Sequence, residues 1–82
     1  MEYRIKFKPR AIKDCKSINK KVLKLVFSKI ALLSNNLQGE VKKLTNFTPE
    51  YRLRVGDYRV LFETEKDEII IYRIMHRKEA YR

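Results

Sequence analysis

The chain has 82 residues, enough for one domain with one small core. Twenty Lys and Arg against ten Asp and Glu leave a formal net charge of +10, while 44% of residues are hydrophobic. That balance excludes a disordered tail and favours a basic globular domain whose natural partners are polyanions. A single cysteine, Cys15, excludes an internal disulfide, and one histidine without spaced Cys/His pairs offers no dedicated metal site. The N-terminus, MEYRIKFKPR, lacks the apolar run of a signal peptide, and no stretch approaches the roughly 18 apolar residues of a membrane span. A reducing cytoplasm, no membrane and no cofactor are the expectations.

Tyr3, Ile5 and Phe7 alternate with Arg4, Lys6 and Lys8, the pattern of a half-buried strand. Pro9 ends it and suits a helix start. Ala11, Cys15 and Ile18 then recur at helical spacing, with Lys13, Asp14 and Lys16 on the wet side. Ser17 and Asn19 mark a break. A longer helix follows, its apolar stripe read as Leu23, Phe27, Ile30 and Leu33, with Asn35-Asn36 as the stop. From Leu37 to Pro49 the pattern is irregular and reads as loop, anchored by Val41 and Leu44.

Three strands come next, at about Tyr51–Val55, Tyr58–Glu63 and Glu68–Met75. Ile69-Ile70-Ile71 is apolar on both faces, so the last strand should be interior or covered twice. The residues from His76 to Arg82 form a polar tail, a loop or a short helical turn. The expected fold is α+β, in the order β-α-α-β-β-β. Two N-terminal helices pack on one face of a mostly antiparallel four-stranded sheet, and residues 1–82 form a single domain.

The run YRLRVGDYR, Tyr51 to Arg59, carries the most information. A two-residue Gly56-Asp57 loop fixes the pairing: Val55 opposite Tyr58, Arg54 opposite Arg59, Leu53 opposite Val60, Arg52 opposite Leu61. Side chains alternate faces, so Arg52, Arg54 and Arg59 share one face and Leu53, Val55, Tyr58 and Val60 the other. Like charges directly across a ladder are destabilising. A chain that sets Arg54 against Arg59 therefore uses them on something negative, and the planar guanidinium fork matches phosphate. The last strand adds Arg73, His76 and Arg77, and Tyr81 follows in the tail. A tyrosine there can stack on a base or exchange a proton, or simply pack on the core.

The R-L-R-V-G-D-Y-R run from Arg52 to Arg59, the acidic turn around Glu65-Lys66-Asp67, the apolar strand and the H-R-K-E-A-Y-R tail from His76 to Arg82 resemble the RelE/ParE toxin family, over essentially the whole chain. The resemblance implies the toxin of a type II toxin–antitoxin system. In its RelE branch it implies a metal-independent, ribosome-dependent endoribonuclease that cuts messenger RNA by attack of a ribose 2′-oxygen on the adjoining phosphate. By that resemblance Arg59 and Arg77 stabilise the phosphorane, and Tyr81 stacks on or orients a nucleotide. Arg52, Arg54, Arg73 and Lys78 hold RNA. Some relatives use hairpin lysines as base; here those positions are arginines, which stay protonated. Another branch pattern suggests Glu40 as base and His76 as acid. The resemblance also implies an acidic cognate antitoxin, with ribosome and messenger RNA as further partners. The alternative is a ParE-like toxin that inhibits DNA gyrase and cuts no RNA.

Overall fold

The computed structural model describes residues 2–46 and 48–80. Strand β1 (Arg4–Phe7) leads into helix α1 (Pro9–Cys15) and helix α2 (Lys20–Leu33). Strands β2 (Val41–Lys43), β3 (Tyr51–Val55), β4 (Tyr58–Glu65) and β5 (Glu68–His76) follow, and a single turn of helix, α3 (Arg77–Ala80), closes the described chain. The sheet order is β1-β5-β4-β3-β2. Strands β2 to β5 run antiparallel in succession, while β1 lies parallel to β5, with Ile5 opposite Ile69 and Phe7 opposite Ile71.

The sheet thus has five strands, not the expected four. The added strand is β2, in the segment read as loop; it pairs with β3 through Val41–Leu53, Lys42–Arg52 and Lys43–Tyr51. Three residues are too few to display an alternation of their own, and the partner strand supplies the order. The β3–β4 register agrees residue for residue with the one the two-residue loop predicts. Gly56, at φ 56°, takes the left-handed conformation that such a loop needs and that a side chain resists. β5 lies between β1 and β4, consistent with its three consecutive isoleucines. Where Leu61 pairs with Arg73 and Phe62 with Ile71, Tyr72 is the extra residue of a β-bulge.

Each helix begins with a local reason. Pro9 occupies the first turn of α1, where its missing N–H costs nothing. Asn19 caps α2, its side-chain oxygen accepting the Lys21 N–H at 2.8 Å. The buried stripe of α2 is Val26, Ile30 and Leu33. Phe27, expected inside, stands at the margin and is 42% exposed, meeting Phe7 edge to face with ring centres 5.9 Å apart. The i, i+4, i+7 spacing from Val26 sets the helix phase, and position 27 lies about 100° round from it.

One apolar layer joins the helices to the sheet: Ala11, Ile18, Val26, Ile30 and Leu33 against Leu53, Val55, Val60, Phe62, Ile69, Ile71 and Ile74. Helix α1 also closes an edge. Past Phe7 strand β1 has ended, and Asp14 of α1 accepts the Ile74 N–H at 3.0 Å together with two bonds from Arg73, at 2.8 and 3.0 Å. Burial pushes the Asp14 carboxyl up, but the Arg73 hydrogen bond, the Ile74 N–H and the charges of Arg73 and Arg10 outweigh it and hold the group below its ordinary value.

Candidate functional site

With one sheet face committed to the helices, the opposite face presents the arginines. The ladder sets them in two rows. In the first, Glu40 just ahead of β2 accepts the Arg54 N–H at 3.0 Å, Arg54 lies opposite Arg59, and Arg59 lies opposite Met75. In the second, Lys42 lies opposite Arg52, Arg52 opposite Leu61, and Leu61 opposite Arg73. The rows are two residues apart along each strand, about 7 Å. Lys42 was invisible in the sequence because its strand was read as loop; Val41-Lys42-Lys43 carries no alternation, and only the pairing with β3 places Lys42 opposite Arg52.

Arg59 is the unusual member. It is only 7% exposed. Its Nη1 donates to the carbonyls of Gly56, at 2.8 Å, and Tyr58, at 2.9 Å. Its Nε is buried without an acceptor, and no carboxylate of the described residues pairs with it. A buried cation without a counter-charge costs several kcal/mol. Arg77 reaches the same turn from the other end of the chain: its N–H donates to the Asp57 carbonyl at 2.7 Å, and its Nε lies 3.8 Å from the Asp57 carboxylate. Two arginines separated in sequence thus converge on the Gly56-Asp57 turn. Arg54 is exposed, with a long 3.9 Å contact to the Glu40 carboxylate, a geometry that leaves its guanidinium open to a better anion.

The other sequence candidates scatter. Glu40 and His76 are not brought together. Glu40 lies in the arginine row, whereas the His76 ring stands edge to face on Tyr58, which packs against the core side of the sheet. From Glu40 to β5 the ladder spans three strand spacings, about 14 Å. His76 Nδ1 accepts the Lys78 N–H at 3.3 Å, so that nitrogen is engaged as an acceptor. Arg73 is held by Asp14 at the sheet edge, two strand spacings along its row from Arg52. Lys78 is exposed on α3. Tyr81 lies outside the described residues. Among the described residues, no three His, Cys, Asp or Glu side chains converge as metal ligands would, and no helix is long and apolar enough to cross a membrane.

The sequence model for the ParE toxin of the type II toxin–antitoxin system parDE matches residues 5–81. The chain belongs to the ParE toxin family. Several solved structures similar to it are RelE toxins in complex with their antitoxins. The RelB–RelE antitoxin–toxin complex of Methanococcus jannaschii aligns at 33% identity and TM-score 0.77, over 92% of this chain and 93% of that one. The archaeal RelE–RelB complex of Pyrococcus horikoshii OT3 aligns at 26% and 0.76, over 98% of this chain and 100% of that one. A curated relative, Toxin RelE3 of Methanocaldococcus jannaschii, is 43% identical over 47 residues, 57% of this chain. The match spans about half the length of that relative, 53%. The α+β reading and the superfamily resemblance both hold.

Proposed function

We propose that this toxin is a ribosome-dependent endoribonuclease that cleaves messenger RNA on its arginine-bearing sheet face. One observation carries the reading: Arg59 is buried with its Nε unanswered, beside a turn that Arg77 also reaches. No carboxylate of the described residues balances the Arg59 charge, and an anion bound at this turn would do so. In the reaction the 2′-oxygen forms a bond to phosphorus, the bond from phosphorus to the 5′-oxygen breaks, and a cyclic phosphate remains. Arg59 and Arg77 stabilise the charge that gathers on the non-bridging oxygens. Arg52, Arg54 and Lys42 hold the flanking backbone. Glu40, in the row of Arg54 and Arg59, accepts the 2′-hydroxyl proton, and solvent returns one to the 5′-oxygen. Tyr81 keeps its proposed part in orienting a nucleotide. The relatives solved as toxin–antitoxin complexes support a cognate antitoxin here as well, acidic where it meets a body of charge +10. A cytoplasmic setting follows from that reading.

The test is primer extension on messenger RNA bound to translating ribosomes, which should show new 5′ ends that vanish with Arg59→Ala or Arg77→Ala. The match to the ParE toxin model leads us to keep a second reading, the gyrase inhibition that the resemblance to ParE toxins implies. A supercoiling assay separates the two, because a gyrase inhibitor blocks supercoiling and leaves messenger ends unchanged.

A further inference from the structure

A second cationic site lies beyond the far edge of the sheet. Between α1 and β5 runs a cleft of about 390 Å³ lined by Arg10, Lys13, Asp14, Lys16, Ser17 and Arg73. Four cations surround one carboxylate. Asp14 is already taken up by Arg73 and the Ile74 N–H, with all three bonds at 3.0 Å or less, so it has little left for the others. Arg10, Lys13 and Lys16 follow one another at three-residue steps on or just after α1, all exposed. Like charges at that spacing repel each other by a few tenths of a kcal/mol per pair. The fold nevertheless gathers them around a cleft, and the Asp14–Arg73 pair fixes its floor.

We propose that this cleft is a phosphate-binding site for the RNA backbone, separate from the hairpin face and indifferent to base sequence. It rests on the RNA-cleaving reading only for the identity of the polyanion. Two features favour nucleic acid over an acidic protein. No apolar residue lines the cleft, whereas protein interfaces bury an apolar centre. Its donors are guanidinium and ammonium groups carried on long side-chain stems, as in nucleic-acid interfaces. The ladder row Arg52–Leu61–Arg73 links it to the hairpin over two strand spacings, about 10 Å, so one RNA segment can touch both.

The experiment is fluorescence anisotropy with a labelled twelve-nucleotide uridine RNA across a potassium chloride series. Arg59→Ala is present in every protein, to keep the RNA whole. Added Arg10→Gln, Lys13→Gln and Lys16→Gln should flatten the slope of log affinity against log salt by about 2, at about 0.7 per lost phosphate contact on a single strand. Lys20→Gln, Lys24→Gln and Lys29→Gln on α2 remove equal charge and should change the slope by less than half as much. An unchanged slope in the α1 variant overturns the site. So does an equal change in the α2 variant, which would mean diffuse attraction only. So does an α1 variant that loses affinity for a glutamate-rich peptide while keeping it for the RNA. Binding is read without cutting, so failure of the unmutated toxin to cleave messenger RNA would remove the nuclease reading and leave this result standing.

Discussion

Replacing Arg59 with methionine separates a structural role from a functional one. The change keeps an unbranched stem, which ends near the position of Nε, and removes the guanidinium with its charge. On the favourable side, Arg59 donates two hydrogen bonds to the carbonyls of Gly56 and Tyr58. Bonds from a charged donor contribute about 1.5–3 kcal/mol each, so about 3–6 kcal/mol is lost with them. On the other side, the residue as a whole is only 7% exposed, and its Nε is buried with no acceptor among the described residues. Desolvating such an ion costs several kcal/mol, and apolar replacements of buried ions are often neutral or stabilising. The two contributions nearly cancel, so Arg59→Met should shift folding stability by less than about 1.5 kcal/mol. With a urea dependence of about 1 kcal/mol per molar for so small a domain, the midpoint should move by less than about 1.5 M. Messenger cleavage, in contrast, should fall by about 10²–10³, the loss expected for a donor to a charged transition state. Urea unfolding followed by circular dichroism and primer extension on translating ribosomes read the two effects. A variant that unfolds several kcal/mol more easily but still cuts would refute the reasoning, because Arg59 would then be a structural clamp on its turn.

Removing Asp14 should act in the opposite sense. Asp14→Asn leaves the half-buried Arg73 without its counter-charge and should destabilise by about 1–2 kcal/mol at neutral pH, between the values for an exposed and a buried pair. Because the carboxyl is held below its ordinary value in the fold, its contribution is complete above the unfolded value of about 4 and fades as pH falls through the folded value. Unfolding midpoints of the parent and Asp14→Asn should therefore converge below about pH 4. Gly56→Ala should cost about 1–2 kcal/mol, since φ is 56° and the space around an added methyl is open, leaving backbone strain as the only penalty; a thermal melt checks it. Lys42→Ala should leave stability within about 0.5 kcal/mol, as for other exposed surface changes, while weakening RNA binding and flattening its salt slope by about 0.7.

The hairpin was legible because its information is local. Gly56-Asp57 fixes a loop length, loop length fixes register, and a period of two then assigns Arg52, Arg54 and Arg59 to one face. The helices were legible in kind and largely in phase: Ala11, Cys15, Ile18, Leu23, Ile30 and Leu33 lie in or against the core, while Val26 takes the place expected for Phe27, which stands at the rim beside β1. Strand β2 was hidden, since its three residues become a strand only beside β3, and with it Lys42 was hidden too. The Glu40–His76 pairing looked reasonable along the chain, but a ladder position on one face and a ring packed on the other cannot meet.

The sequence by itself determined the α+β class, the register of the central hairpin and an excess of positive charge, because each follows from near neighbours or from composition. Only the tertiary structure decided that Arg59 is buried without a counter-charge among the described residues, that Arg77 arrives at the same turn, and that Arg73 belongs to Asp14, 59 residues away. Burial and long-range ion pairs depend on which surfaces the assembled sheet and helices leave facing one another, and no local pattern carries that information.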